Sequence, residues 1–369
     1  KLLLIAFALA TAAHGASIDA GTSVIPALSP SQEQTQAARI AAEVVRRLHY
    51  KATPLDDALS GKIFDQYIKG LDSEKLIFTQ ADIDQMAAAR TQLDNAILES
   101  NLTAPFAIFN LYERRLNERF SYARTLLKQK IDFGQKETFQ LTREKEPWPQ
   151  SDSEVRELWR KRVKSDWLRL RLAGKDEKNI LETLDKRYEN SLRRVGRISS
   201  EDAFQIFMNA YTMAIDPHTN YLGPKAAANF DISMRLSLIG IGAVLEEKDE
   251  YTMIRELVHG GPAALSGQLE PGDRIVGVAQ GEAGAMIDIM GWRSDDAVGL
   301  IRGEANSVVR LDILPSGAGA EGKHKVVTLI RKPINLEDQA AKKSILTVVD
   351  RKVTRRIGVI SLPSFYEDF

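Results

Sequence analysis

The 369-residue chain contains no cysteine. That absence excludes a disulfide scaffold, thiolate zinc sites, iron–sulfur ligation and a cysteine nucleophile. Histidine is scarce as well: there are five, and none falls at a metal-ligand spacing such as H-E-x-x-H. No metal or other cofactor is expected. An excess of one charge is also missing, because 50 basic side chains balance 50 acidic ones and the formal net charge is zero. Such a chain has no overall field for holding nucleic acid or an anionic bilayer, so nucleic acid is excluded as a partner and membrane contact is at most peripheral. What is present is ample apolar material. With 44% hydrophobic residues the chain can bury real cores, and its length suggests two or three domains of roughly 150 residues each.

Residues 1–16 run from Lys1 through an apolar stretch into small residues, with no acidic side chain before Asp19. This is the form of a secretory signal peptide, with Ala13 and Gly15 suited to cleavage before Ala16. The apolar run is shorter than the about 20 residues a bilayer span needs. Export to the periplasm is expected, with association at the inner membrane as an option.

From Ser31 to about Ala214 the apolar residues recur at helical spacing. Ser31 with Gln34 has the form of a capping box, and Ile40, Val44 and Leu48 form the stripe that follows it. Pro105 is read as a helix start. Val155, Trp159, Val163 and Trp167 repeat every four residues, as do Ile180, Leu184, Tyr188 and Leu192. Ser199 is read as the cap of a helix carrying Ala203, Phe207, Tyr211 and Ala214. The arginines between Arg114 and Arg197 are interleaved with Glu113, Glu118, Glu154, Glu157, Glu182 and Asp185. That mixture predicts solvated faces with ion pairs along the helix.

After Asp231 glycines and β-branched residues take over. Short runs at 251–254, 274–278, 307–314 and 326–330 read as strands, and 263–266 and 294–301 as helical pieces. Gly260-Gly261-Pro262 and Pro271-Gly272-Asp273 mark turns. Gly240-Ile241-Gly242 fails as a dinucleotide fingerprint, because Leu245 stands where the third glycine belongs and a strand follows. It also lacks the Gly-Lys-Ser/Thr ending of a phosphate loop. What remains is a carboxylate-binding loop entering an open strand. A peptide could add itself beside residues 243–246 with its terminal carboxylate on the N–H groups of the loop. Ile239, Gly240, Ile241, Gly242, Ala243 and Val244 are the candidate binding residues on that side. Val298 and Ile301 are the candidates on a facing helix, with Ser294 as its expected cap and Asp295 and Asp296 in its first turn. Such a groove favours nonpolar C-termini.

Three segments, Ile239-Gly240-Ile241-Gly242-Ala243, Gly260-Gly261-Pro262-Ala263-Ala264 and Pro271-Gly272-Asp273-Arg274-Ile275, together resemble a bacterial PDZ domain. Ala243 departs from the bulkier residue of many PDZ loops. Asp216-Pro217-His218-Thr219-Asn220-Tyr221-Leu222 resembles the D-P-H-S/T motif of C-terminal processing peptidases. Phe64, Tyr67, Leu71, Asp72, Phe78 and Asp82 are similar to a pattern of the tail-specific protease branch. The resemblance implies an all-α N-terminal domain at residues 30–230 and a PDZ-like β-rich α+β domain at 231–335. Residues 336–369 would be a linker and the first strand of an α/β serine peptidase core.

The resemblance also implies a serine nucleophile with a lysine base, located in a core that follows the PDZ domain. Residues 356–366 read as the opening strand of that core, without a partner strand, and no catalytic residue is assigned within the chain. Lys343-Ser344 and Ser364 are the nearest serine and lysine candidates, but no glycine-rich oxyanion loop surrounds them. His218 is read as a structural hydrogen-bonding residue that ties the helical half to the PDZ-like domain. His49, His259 and His324 are scattered. Two functions stay open: a serine-type endopeptidase that captures the nonpolar C-terminal tails of envelope proteins, and a noncatalytic PDZ-containing adaptor or holdase. An envelope adaptor protein that delivers substrates is a further expected partner.

Overall fold

The computed structural model describes residues 25–248, 250–319, 322–335, 340–350, 353–363 and 365–366. The signal segment and Ser364 lie outside the described residues. The chain divides into two compact units, Lys1–Tyr221 and Leu222–Phe369.

The first unit is helical: α1 (Gln32–Leu48), α2 (Asp57–Leu71), α3 (Gln80–Met86), a 3₁₀ turn (Ala87–Thr91), α4 (Leu93–Leu98), α5 (Thr103–Leu127), α6 (Asp152–Leu172), α7 (Glu177–Val195) and α8 (Ser200–Ile215). Polar caps set the starts. Ser31 with Gln34 and Ser199 with Asp202 form reciprocal capping boxes, and Ser151 and Asp176 accept from the first turns of α6 and α7. The 25-residue α5 serves two cores. Its first half packs Phe106 and Phe109 with Ile63, Phe64 and Tyr67 of α2 and with Phe204, Phe207 and Tyr211 of α8. Its second half packs Leu116 and Ala123 with Val155, Trp159, Val163 and Trp167 of α6 and with Ile180, Leu184 and Tyr188 of α7. Several of the interleaved charges pair along a helix as expected, for example Arg115 with Glu118 and Arg160 with Glu157, but Arg124 with Asp185 joins α5 to α7, and Glu113 is buried instead of solvated.

Two readings of this half need correction. The stripe of α1 faces outward, with Ile40 62% and Leu48 79% exposed, while Gln34, Ala38 and Ala42 are buried. Alanines allow close helix approach, and Gln34 Nε2 donates to Glu201 Oε2 at 2.9 Å, which fixes the other face of α1 against α8. Helix α5 begins at Thr103, two residues before Pro105, whose carbonyl accepts from Tyr67 Oη at 3.1 Å. A proline is tolerated there because first-turn N–H groups have no helical acceptor.

The second unit opens with α9 (Pro224–Arg235), which the texture change at Asp231 did not reveal. It continues with β1 (Ser237–Gly240), β2 (Ala243–Lys248), β3 (Tyr251–Leu257), α10 (Pro262–Ser266), β4 (Arg274–Gln280) and β5 (Ile287–Asp288). Then come α11 (Ser294–Ile301), β6 (Val308–Leu314), β7 (Lys325–Ile330), β8 (Lys332–Asn335), β9 (Lys342–Asp350) and β10 (Val353–Ser361). The main sheet runs β2-β3-β4-β6-β7 with β5 against β4, all antiparallel. Its inward face packs Ile254, Ile275, Val278, Val309, Leu311, Ile313, Val327 and Leu329 under α10 and α11, which contribute Ala263, Ala297 and Ile301. A separate pair joins β1 to β8, with Gly240 opposite Lys332.

The last strand has a partner, contrary to the reading of residues 356–366 as a lone strand. β10 starts at Val353 and pairs along its length with β9, forming a two-stranded hairpin. β9 escaped notice because its opening Lys342-Lys343 follows a polar stretch and resembles a linker.

Candidate functional site

The glycine loop joins β1 to β2. Gly242 has φ +72°, and a Cβ there would lie 2.9 Å from Gly261 Cα, so this position requires glycine for both conformation and space. Its carbonyl accepts from Val258 N at 2.9 Å, and the Ile241 carbonyl accepts from Ala263 N at 2.8 Å. With both carbonyls turned into the fold, the N–H groups of Ile241 and Gly242 meet no acceptor among the described residues. Consecutive free N–H groups beside a left-handed glycine form a concavity suited to an anion.

β2 leaves this loop and pairs with β3 on one side. No strand covers its other side among the described residues. α11 packs next to β2, so the helix stands beside the open edge that begins at the glycine loop. Ala243 and Val244 are half-buried on β2, Val298 is half-buried on α11, and Ile239 is exposed on β1. Ile241 and Ile301 lie deeper, in the core cluster, with Ile301 only 2% exposed. These two can shape the floor from beneath and offer no open face.

The expected cap of α11 is corrected. Arg293 is the N-cap, without a side-chain cap bond, and Ser294 is the first helical residue. Asp295 and Asp296 do occupy the first turn, near the positive end of the helix dipole. Asp296 pairs with Lys225 of α9, and Asn229 of the same helix accepts from Arg302 Nη1 at 2.8 Å. Burial lowers the proton affinity of Arg302 and of Arg331, two cations at the C-terminal end of α11. Arg331 was missed from the sequence. The signal was available, because Val327, Leu329 and Arg331 alternate at strand spacing and the first two face the core.

The motif residues of the helical unit turn out to be fasteners. Asp72 follows α2 and accepts from the backbone N–H groups of Leu76, Ile77 and Phe78 at 2.8–2.9 Å. Burial nevertheless pushes its carboxyl above the ordinary range. Asp82, in the first turn of α3, completes the capping box of Thr79 and receives Arg115 Nη2 at 2.7 Å. Burial raises that carboxyl, yet the Arg115 and Thr79 bonds outweigh it and the net direction is down. Asp216 ends α8 and accepts from Tyr50 Oη at 2.6 Å and from His218 N at 2.9 Å. The Tyr50 bond, followed by the His218 backbone bond, holds Asp216 below its usual value. The His218 ring is 90% exposed and lies 3.3 Å from Asp216, so the hydrogen bond read for it is local to its own turn.

Lys343 and Ser344 are exposed neighbours on β9 and face opposite ways, as strand alternation requires. Among the described residues no cluster of three metal-ligating side chains occurs, and no helix is long and apolar enough to cross a membrane.

Comparison with known proteins finds matches to both the helical part and the PDZ-like part of the chain. The family model for the tail specific protease N-terminal domain matches residues 41–225, and the PDZ domain model matches residues 230–314. The tail-specific protease of Haemophilus influenzae is 39% identical over 343 residues, covering 93% of this chain and 48% of that protein. The carboxy-terminal processing protease CtpA of Bacillus subtilis is 31% identical over 152 residues, covering 41% of this chain and 28% of that protein. Among solved structures, the PDZ domain of a carboxy-terminal protease from Vibrio cholerae, in complex with peptide, is 55% identical. It covers 27% of this chain and all of that one, with a TM-score of 0.26. The chain spans about half the length or less of these curated relatives. With a helical unit matched over half its length and a PDZ domain behind it, the chain belongs to the tail-specific protease family.

Proposed function

We propose that this chain recognises the nonpolar C-terminal tails of envelope proteins for a serine-type endopeptidase. The observation that carries the reading is the free edge of β2 beginning at a loop whose Ile241 and Gly242 N–H groups lack acceptors. A tail would add as an antiparallel strand to β2, its main chain completing the ladder and its carboxylate resting on the loop. Val298 and the half-buried face of β2 give the last side chain an apolar seat. The named relatives support the cutting step, which would use a serine activated by a neutral, desolvated lysine. No such pair is assembled among the described residues, so the chain is expected to bind tails without cutting them. The apolar stretch at residues 2–13 supports export to the periplasm, where an adaptor protein could deliver substrates.

The test is fluorescence anisotropy of the 369-residue chain with a labelled decapeptide ending Ala-Ala-Val. The free carboxylate should bind at least tenfold more tightly than the carboxamide. Equal affinity for the two would remove the glycine loop from the account, and no binding of either would remove the groove.

A further inference from the structure

Arg331 is 2% exposed and has no carboxylate partner among the described residues. An arginine carries five N–H donors. Each of them finds a neutral acceptor here: Nε donates to the Ile301 carbonyl at 2.9 Å, Nη1 to Ser307 Oγ at 2.8 Å and to the Val308 carbonyl at 3.2 Å, and Nη2 to Gln280 Oε1 at 2.6 Å and to the Leu300 carbonyl at 3.0 Å. Gln280 Nε2 adds a second bond to the Leu300 carbonyl at 2.8 Å. Leu300 and Ile301 are the last two residues of α11, where a helix leaves carbonyls without internal donors. A buried cation at that end also complements the negative pole of the helix.

The chain neighbour of Arg331 reaches the opposite wall. Lys332 opens β8 and pairs with Gly240, the residue that leads into the glycine loop. The Arg331 backbone is pinned at the same place, its N–H donating to the Ser307 carbonyl and its carbonyl accepting from Asn306 N, both at 2.9 Å. Two consecutive residues, Arg331 by its side chain and Lys332 by its strand pairing, therefore join the C-terminal end of α11 to the strand that leads into the glycine loop. We propose that Arg331 is a positioning residue that sets the spacing between α11 and the loop, and through it the fit of the tail's last residue. This inference rests on the tail-binding reading of the same groove.

A merely structural arginine would lower the melting temperature and leave the affinity of the folded protein unchanged. A positioning arginine alters affinity at temperatures where the fold is intact. Peptide titration of Arg331→Met at 10 °C, with the far-ultraviolet circular dichroism unchanged, should show at least tenfold weaker binding of the Ala-Ala-Val tail. The preference over a tail ending in glycine should fall with it. Arg331→Lys, which can still donate to one helix carbonyl, should recover part of the loss. Should Arg331→Met fail to fold, Gln280→Ala decides, because Gln280 is exposed and removes one donor to Leu300 together with one acceptor of Arg331. That variant should weaken binding threefold or more. If wild-type protein binds the tail and the folded variants stay within twofold of it, the positioning role is overturned. If wild-type protein does not bind, the tail-binding reading itself falls.

Discussion

Glu113 on α5 offers a sharp test of the helical unit, because it is 3% exposed and burial raises its carboxyl from an ordinary 4.5 to about 7. The folded state therefore holds a proton that the unfolded chain releases. Below pH 4.5 both states are protonated and the group costs nothing. Between 4.5 and 7 the unfolded chain binds fewer protons, so stability falls as pH rises, and above 7 the full loss is reached. Each tenfold change in proton affinity is worth about 1.4 kcal/mol, which sets a ceiling of about 3 kcal/mol. For a unit of this size that corresponds to roughly 6–12 °C in melting temperature. Glu113→Gln keeps the shape and removes the titration. Its stability relative to wild type should be near zero at pH 4.5 and should grow to about 2–3 kcal/mol at pH 8. Urea unfolding followed by tryptophan fluorescence measures this well, since Trp148, Trp159 and Trp167 all report from the helical unit. Taking the difference between variant and wild type at each pH cancels the other carboxylates, including Asp72 and Asp82. A constant difference from pH 4.5 to pH 8 would refute the argument.

Three further outcomes are expected. Asp72→Ala strips the acceptor from three buried N–H groups and should destabilise the helical unit by about 3–4 kcal/mol in urea unfolding. Gly242→Val puts a β-branched residue at φ +72° with its Cβ 2.9 Å from Gly261, and should weaken tail binding at least tenfold in the anisotropy assay. Purified chain incubated with an unfolded protein bearing a nonpolar tail should yield no fragments on gels, and fragments abolished by Ser344→Ala would relocate the active site to β9.

The parts that were legible in the sequence share a physical basis. Ser31, Ser199 and the four-residue repeats of α6 and α7 announce themselves because a cap is satisfied within its own helix and the spacing of a buried stripe is set by the helix itself. The Gly240–Gly242 loop was legible from its glycines, although its shape is set by Val258, Gly261 and Ala263. What failed depended on distant partners. Ile40, Val44 and Leu48 look like a core stripe until the close packing made possible by Ala38 and Ala42 is known. α9 buries none of its residues and so leaves no stripe to read. β9 is exposed over residues 342–348, so its pairing with β10 decides its conformation and its apolar pattern does not. Arg331 was hidden because a charged residue after a strand is ordinarily taken as a surface residue. Its alternation with Val327 and Leu329 places it on the core face, and its five carbonyl, hydroxyl and amide partners from separate segments show what holds it there.

The same contrast separates the acidic motif residues from chemistry. Asp72, Asp82 and Asp216 each stand at a helix end or turn, and each spends its carboxylate on backbone N–H groups or a fixed side chain. A carboxylate that works as a general base must keep a lone pair aimed at a substrate proton. Asp216 has Oη of Tyr50 on one oxygen and the N–H of His218 on the other, while Lys51 Nζ and His49 Nε2 hold Ile215 and Thr219 on either side of it. That arrangement locks the end of α8 to the segment after α1. The one exposed histidine in the motif is bound to the same carboxylate and has no serine or second acid in its turn. In the proposed reading, recognition would fall instead to main-chain groups at the β2 edge and the glycine loop, where the N–H groups of Ile241 and Gly242 meet no acceptor among the described residues.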